Sequence, residues 1–179
     1  MNLEKLKEPL SINEIDFRIQ SINKGGYATI LAYKDARADM NRLDDAIGSL
    51  SWKREHTRDN QNCIVSIWSK EIGQWISKED TGAESFTEKE KGLASDSFKR
   101  ACFNWGIGRE LYDYPVIKIQ LVKETECYED NGKMKQSFNL RLREWIWFSQ
   151  FTAGKLTYLA CKDYNDKVRY SFGTYEKSV

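Results

Sequence analysis

Apolar and polar side chains alternate over residues 15–22 of the chain. This period of two predicts a β-strand. The Asn-Lys-Gly-Gly sequence that follows predicts a turn, with residues 27–33 as the second strand of a hairpin. A capping-box pattern of Ser11 and Glu14 leaves an alternative open, a helix that begins directly after Ser11.

A helical pattern follows the hairpin. Asp35 is a suitable N-cap, and Met40, Leu43 and Ile47 recur at the spacing of one helix face. Gly48 is a suitable helix stop. The pattern predicts one short amphipathic helix.

Three segments of strand-like composition come next, at about residues 49–57, 62–69 and 74–80. The links between them are short and polar, as in β-hairpins. Because such links join antiparallel neighbours, we expect a three-stranded meander.

A second and longer helix is predicted over residues 86–106. Its apolar stripe comprises Ala94, Phe98, Ala101, Cys102 and Trp105. Lys99, Arg100 and Phe103 fall off that stripe, so we expect them to be exposed, with Phe103 beside the cations. A solvated helix face with a Phe at a subunit contact is the alternative.

The chain beyond Pro115 returns to strand patterns. Residues 116–127 and 137–148 flank an Asn-Gly pair, which is a hairpin signal, and residues 155–162 and 168–175 form a last pair. The fold class predicted from this order is α+β: an antiparallel β-β-β-α core, preceded by a β-hairpin and a short helix and followed by a β-rich C-terminal tail. We place the functional core in residues 1–115 and an extension or subdomain in 116–179.

Composition narrows the class of protein. The chain has 179 residues with a net charge of +1, so positive charge for nucleic acid must be local rather than general. Four widely spaced cysteines and the single His56 do not form a zinc motif, and free thiols fit a reducing cytoplasm. We find neither a signal peptide nor an apolar run of membrane-spanning length, and we expect a cytoplasmic protein with no bound metal and no membrane partner.

Basic and aromatic residues interleave on two predicted strands. One strand face carries Trp52, Arg54, His56 and Arg58, and another carries Arg141, Arg143, Trp145 and Trp147. Cations that meet phosphates and rings that stack on bases are typical of single-stranded nucleic-acid binding. The alternative is a two-sided sheet in which Trp packs under a helix and Arg lies at the rim.

Enzymatic chemistry has little support in the sequence. There is no phosphate-binding loop and no nucleophile with a suitable base, so we assign no catalytic residue and no cofactor. Asp39 together with Glu55 leaves a metal-dependent nuclease as an alternative, although acidic residues on a short helix are commonly a solvated face.

The segment "SDSFKRACFNWGIGRELYD" contains a Lys-Arg-Ala run, then Trp-Gly, then Leu-Tyr-Asp. In this order and context it resembles the Rad fifty-two family of single-strand annealing proteins, in particular the phage recombinases of Sak type. The segments "DFRIQSINKGG" and "ARADMNRLDDAIGSLSW" also resemble that family, and the likeness extends over about residues 12–115.

The resemblance implies binding of single-stranded DNA by a ring-like or helical homo-oligomer, and annealing of complementary strands without ATP in homologous recombination and repair. It implies that Arg18, Lys99 and Arg100 bind DNA. A further arginine of the family falls on Phe103 here, where stacking would replace a phosphate contact. The cytoplasm would be that of a bacterial host if a phage encodes the chain, and a single-strand binding protein is a candidate partner.

Three cations on the predicted meander complete the candidate DNA-binding residues. Lys53, Arg54 and Arg58 are candidates for contacts with a second strand or with a neighbouring subunit. A protein that coats single strands without annealing them is the alternative function.

Overall fold

The structure, a computed structural model, describes residues 2–83 and 89–176, so the predicted helical residues 86–88 lie outside the described part. The α-helices there are α1 (Ala36–Ile47) and α2 (Lys89–Trp105). The strands are β1 (Asp16–Ile22), β2 (Tyr27–Tyr33), β3 (Trp52–Thr57), β4 (Asn62–Ser69), β5 (Gln74–Thr81), β6 (Ile117–Gln120), β7 (Cys127–Asp130), β8 (Lys133–Gln136), β9 (Ile146–Thr152), β10 (Lys155–Lys162) and β11 (Val168–Gly173). Short 3-10 turns cover Leu3–Lys7, Ile12–Glu14, Arg109–Asp113, Phe138–Leu140 and Leu142–Glu144.

The strands form antiparallel sheets in the orders β1-β2-β6, β3-β4-β5 and β11-β10-β9, and β7 pairs with β8. The predicted α+β class is therefore confirmed. Within the described residues, no helix has the length and apolar character that a membrane span requires.

The chain divides into two compact units. Unit 1 comprises Met1–Leu10 and Lys34–Arg109, and unit 2 comprises Ser11–Tyr33 and Glu110–Val179. This division follows compactness, whereas the predicted division at residue 115 assigns functional roles and stays a prediction.

Unit 1 contains the predicted meander and the long helix in the predicted order. Strand β4 is central in the sheet, and its Val65 and Ile67 are buried, as are Phe98 and Cys102 of α2. Burial of these apolar side chains is the main force that holds the helix on the sheet. The β-β-β-α order is thus confirmed for the described residues.

Helix α1 begins and ends as the sequence predicts. The Asp35 side chain accepts hydrogen bonds from the backbone N–H groups of Arg37 and Ala38, which have no intrahelical acceptor. Leu43 is buried, and the chain leaves the helix at Gly48 with φ of 92°. Since that φ is left-handed, glycine suits the position.

In unit 2, both interpretations of the first segment hold in part. The Glu14 carboxylate accepts hydrogen bonds from the backbone N–H and the hydroxyl of Ser11, at 2.8 and 2.9 Å. This capping box supports only the single 3-10 turn Ile12–Glu14, and strand β1 begins at Asp16. The alternating pattern therefore prevails over the helical alternative.

The predicted strand over residues 137–148 is wrong for its first half. Residues Phe138–Leu140 and Leu142–Glu144 form two 3-10 turns, joined by Arg141 in the left-handed region at φ 44° and ψ 44°. Strand β9 begins only at Ile146. Leucine alternates with arginine over residues 140–143, and the turns bury Leu140 while they expose Arg141 and Arg143, so this short stretch imitates a strand.

The predicted strand over residues 116–127 is also too long. Strand β6 ends at Gln120, and the chain turns before β7 begins at Cys127. The Asn-Gly turn is confirmed, with Asn131 at φ 50° and Gly132 at φ 76°, but it joins the short strands β7 and β8. Both angles are those of a type I′ turn, which explains why Asn-Gly predicted it. The predicted pairing of the segments at 116–127 and 137–148 is wrong, because β6 pairs with β2 and β9 with β10.

Unit 2 also contains a buried ionic cluster around Arg169. The Arg169 guanidinium donates to both carboxylate oxygens of Glu126 at 2.7 Å and to Asp163 Oδ2 at 3.1 Å. It donates a further hydrogen bond to the Gln120 carbonyl and lies 4.5 Å from the centre of the Trp145 ring. The arginine thus connects strands β6 and β11 with the turns between them.

Candidate nucleic-acid interface

Helix α2 carries the predicted cations Lys99 and Arg100, and contacts with the sheet fix its position. Trp105 Nε1 donates to the Val65 carbonyl at 3.0 Å. The Lys78 ammonium lies 4.4 Å from the centre of the Trp105 ring and donates to the Asn104 carbonyl. These contacts hold the last turns of the helix, and with them Lys99 and Arg100, on a rigid support.

Lys99 and Arg100 are both half-buried rather than fully exposed. Arg100 Nε lies 3.1 Å from Asp96 Oδ2, one turn earlier on the helix. Such surface pairs contribute about 0–1 kcal/mol, so a phosphate group can compete with Asp96 for Arg100. The pair with Asp96 would therefore oppose the binding of an anionic ligand only weakly.

Phe103 is half-buried, which corrects the expectation that it is exposed. The Lys34 ammonium lies 4.0 Å from the centre of its ring. One face of the Phe103 ring thus covers the buried ammonium group of Lys34. The stacking of Phe103 on DNA stays a prediction.

The sequence did not predict that Lys34 is a buried charged residue. Its side chain is 1% exposed, pairs with Asp39, and donates to the Ile107 carbonyl at 2.6 Å. A lysine between a strand and an N-cap resembles a surface residue, and nothing local in the sequence distinguishes it. Its burial becomes visible only when α1 and α2 are packed.

Asp39 does not serve the metal site considered from the sequence. Its carboxylate is buried against Lys34, and Oδ2 has no hydrogen-bond partner among the described residues. Burial raises the pKa of Asp39 to about 6, against the opposing influence of the Lys34 and Lys99 charges. Across residues 2–83 and 89–176, no group of three or more metal-ligating side chains is close enough to hold an ion.

The face of β3 that was predicted to carry Trp52, Arg54, His56 and Arg58 packs on α2. Trp52 stacks on Phe98 with ring centres 6.1 Å apart, and His56 Nδ1 lies 3.4 Å from Ser97 Oγ. Burial, together with the Arg54 charge, lowers the pKa of His56. The alternative of tryptophan under a helix is therefore the right one for this strand.

The three meander cations occupy separate positions. The Arg54 guanidinium is exposed and lies 4.8 Å from the Phe98 ring centre, while Lys53, on the opposite face of β3, lies 4.9 Å from Trp75. Arg58 follows the end of β3 in a left-handed turn at φ 50°. The structure does not bring them together as one patch.

Arg18 lies in unit 2, on the exposed side of β1. Its guanidinium is 5.4 Å from the centre of the Tyr33 ring, and it makes no ion pair within the described part of the chain. Its charge is therefore available to a ligand.

The predicted row of Arg141, Arg143, Trp145 and Trp147 on one strand face is also corrected. Trp145 and Trp147 are buried core residues, and Trp147 stacks on Phe17 with ring centres 3.7 Å apart and planes 3° from parallel. Arg141 and Arg143 are exposed on the 3-10 turns. These tryptophans are thus packing residues, and the arginines form a separate surface.

Comparisons with known proteins find curated relatives that share part of their sequence with this chain. No family model matches the chain, and no solved structure matches it. The chain is 30% identical over 115 residues to the single-stranded DNA-binding protein DdrA of Deinococcus radiodurans, which is 63% of this chain and 55% of that protein. DdrA of Deinococcus deserti is also 30% identical over 115 residues, or 63% of this chain and 57% of its own length. The chain therefore spans just over half the length of these curated relatives.

Proposed function

We propose that this protein binds single-stranded DNA and has no catalytic activity of its own. The observation that carries the proposal is the similarity over 115 residues to two proteins named as single-stranded DNA-binding. Surface cations on both units are the chemical counterpart, because cations close to phosphates supply most of the affinity for nucleic-acid backbones.

In the proposed mechanism Arg18, Lys99 and Arg100 bind phosphates of the strand. Arg18 is exposed and makes no ion pair among the described residues, and Arg100 follows Lys99 directly on the same helix. Lys53, Arg54 and Arg58 would contact a second strand or a neighbouring subunit. A homo-oligomer would repeat these weak contacts along the strand and so raise the affinity.

Beyond binding, we propose annealing of complementary strands without ATP, in the recombination and repair of a phage or its bacterial host. Support for this finer assignment is the resemblance to single-strand annealing proteins of the Rad fifty-two type. Annealing of two labelled complementary oligonucleotides, without nucleotide or metal and beside a sizing run, tests it. Faster annealing by a large oligomer supports the proposal, and binding without acceleration assigns the protein to strand coating.

The DNA-binding residues are tested with the Lys99→Ala/Arg100→Ala variant. Since the slope of log affinity against log salt falls by about 0.7 for each lost phosphate contact on a single strand, we expect it to become shallower by about 1.4. Lys70→Ala/Lys133→Ala removes two exposed cations elsewhere and serves as the charge-matched control. An unchanged slope in the first variant would remove Lys99 and Arg100 from the interface.

A further inference from the structure

Unit 2 contains two adjoining hollows, of about 600 and 550 Å³. They share Phe17, Tyr33, Leu142 and Arg143 in their walls. Each is within the range of about 300–1,000 Å³ that is typical of ligand sites. Neither hollow uses Lys99 or Arg100, so this surface is distinct from the cations of α2.

The second hollow has a positive wall, which we call the arginine groove. Its wall contains Arg18, Arg141 and Arg143, with Glu144 as the carboxylate among its lining residues. Arg141 pairs with Glu144 at 3.2 Å, whereas Arg18 and Arg143 make no ion pair within residues 2–83 and 89–176. Two guanidinium groups are therefore available to an anion at one groove.

The rim of the arginine groove presents an exposed aromatic ring. Phe138 lines the groove and is 97% exposed, although it lies in an ordered 3-10 turn whose Ser137 hydroxyl caps the backbone N–H of Asn139. A fully exposed Phe gains nothing from folding, since it buries no apolar surface. Its ring is therefore available for stacking.

The backbone that presents these residues is strained. Arg141 adopts a left-handed conformation, which costs a non-glycine residue free energy and persists only where surrounding contacts impose it. Its guanidinium lies 3.9 Å from the centre of the Tyr164 ring, which fixes the corner between the two 3-10 turns. This corner places Phe138 and Arg143 on one groove.

We propose that the arginine groove binds a nucleotide of single-stranded DNA, with a phosphate held by Arg18 and Arg143 and an unpaired base stacked on Phe138. This inference rests on the proposed function and adds a binding site to it. A duplex would offer phosphates but keeps its bases stacked on one another, so the exposed ring selects a single strand. A protein partner would have to supply carboxylates for both arginines, whereas a nucleic-acid strand carries a phosphate at every nucleotide.

The stacking contact is tested with Phe138→Ala, using oligo-dT and an abasic strand of the same length. A stacked base contributes roughly a five- to 150-fold gain in affinity. We expect Phe138→Ala to lose affinity for oligo-dT by a factor in this range and to keep the affinity for the abasic strand. Leu50→Ala removes an apolar side chain that is 96% exposed in unit 1, and it should change neither affinity.

The phosphate contact is tested with Arg143→Ala. We expect the slope of log affinity against log salt to become shallower by about 0.7, and Arg143→Lys to restore it because the charge is kept. Lys155→Ala, which removes an exposed cation elsewhere in unit 2, should leave the slope unchanged.

The outcomes separate this inference from the proposed function. If the wild-type protein binds neither strand, the proposed function fails and the groove assignment fails with it. If the wild type binds oligo-dT while Phe138→Ala and Arg143→Ala behave like their controls, the groove assignment alone is overturned. A smaller oligomer in a sizing run of Phe138→Ala, with unchanged affinity per subunit, would instead make the ring a contact between copies and also overturn it.

Discussion

Units 1 and 2 each bury an ionic cluster, but the two clusters are satisfied to different degrees. In unit 1, Lys34 offers a compact ammonium to Asp39, whose Oδ2 stays without a hydrogen-bond partner among the described residues. In unit 2, the planar guanidinium of Arg169 bonds both oxygens of Glu126 and one of Asp163. The guanidinium of Arg169 thus donates hydrogen bonds to two buried carboxylates. The ammonium of Lys34 pairs with a single buried carboxylate and leaves one of its oxygens without a hydrogen bond.

The pKa values of the carboxyl groups follow this difference. Burial dominates at Asp39 and raises its pKa to about 6. Burial also acts on Glu126 and Asp163, but for Glu126 the hydrogen bonds from Arg169 and the Val122 N–H, and for Asp163 those from the backbone and Arg169, lower the pKa below its usual value. The two clusters should therefore respond to acid in opposite directions.

The largest effect is expected for Arg169→Met, which leaves two buried carboxylates without their cation. We expect it to lower the free energy of unfolding by about 3–5 kcal/mol, as for other broken buried pairs. Urea unfolding at neutral pH measures this. Arg143→Met, at an exposed position in the same unit, should stay within about 0.5 kcal/mol of wild type. A loss of less than about 1 kcal/mol for Arg169→Met would show that the cluster does not stabilise unit 2.

A smaller decrease in the free energy of unfolding is expected for Lys34→Met in unit 1. Asp39 already holds its proton up to a pH of about 6, so it can neutralise itself once the ammonium is gone. We expect a loss on the order of 2 kcal/mol at neutral pH, below that of a broken pair that stays charged. The double variant Lys34→Met/Asp39→Leu should recover stability, because it leaves no charge buried. Equal losses in the single and double variants would argue against this explanation.

The third prediction concerns pH. Because the pKa of Asp39 is raised from 3.8 to about 6, its contribution to stability is full below pH 3.8 and is lost as the pH rises through about 6. The pKa values of Glu126 and Asp163 are lowered, so their contributions are present above the usual values of 4.5 and 3.8 and are lost as the pH falls through the lowered values. The free energy of unfolding, measured across this pH range, should show the loss from Asp39 as the pH rises and the loss from Glu126 and Asp163 as it falls.

Two amide variants separate the contributions of the units to the pH profile. Asp39→Asn should make the free energy of unfolding less dependent on pH between about pH 4 and 6. Glu126→Gln should reduce its fall at acidic pH. If Asp39→Asn instead removes stability only on the alkaline side, the Lys34 charge rather than burial sets the pKa of Asp39.

The smallest effect concerns the surface cations of the two units. Arg100 in unit 1 is paired with Asp96, whereas Arg143 in unit 2 has no ion-pair partner among the described residues. Asp96→Asn should therefore raise the affinity for single-stranded DNA about twofold at low salt, as expected from a helix pair of about 0.3–0.5 kcal/mol. Fluorescence anisotropy with oligo-dT measures this, and Glu129→Gln, which removes an exposed carboxylate in unit 2, serves as the control. An affinity of Asp96→Asn no higher than that of the control would place Arg100 outside the interface.

Much of the fold was predictable because its signals are local. The alternation over β1, the Asp35 cap and the Asn-Gly turn each act within a few residues, and the structure confirms all three. The β-β-β-α order followed from short polar links, which leave the chain few ways to connect neighbouring strands.

The remainder depends on contacts between distant residues. Whether Lys34 is buried or exposed is decided by Asp39 and the Ile107 carbonyl, the latter 73 positions away. The left-handed Arg141 turns a strand-like pattern into a corner, and the sequence carries no glycine or asparagine there to signal it. Phe103 was expected at the surface because its contact with Lys34 depends on the packing of unit 1.

The most direct test of the central claim is the binding of labelled oligo-dT by the wild-type protein over a series of salt concentrations. The account predicts binding that weakens linearly on a plot of log affinity against log salt, as expected when cations release counterions from phosphates. Absence of binding at the lowest salt concentration would contradict it. The surface cations of both units would then have no role in DNA binding.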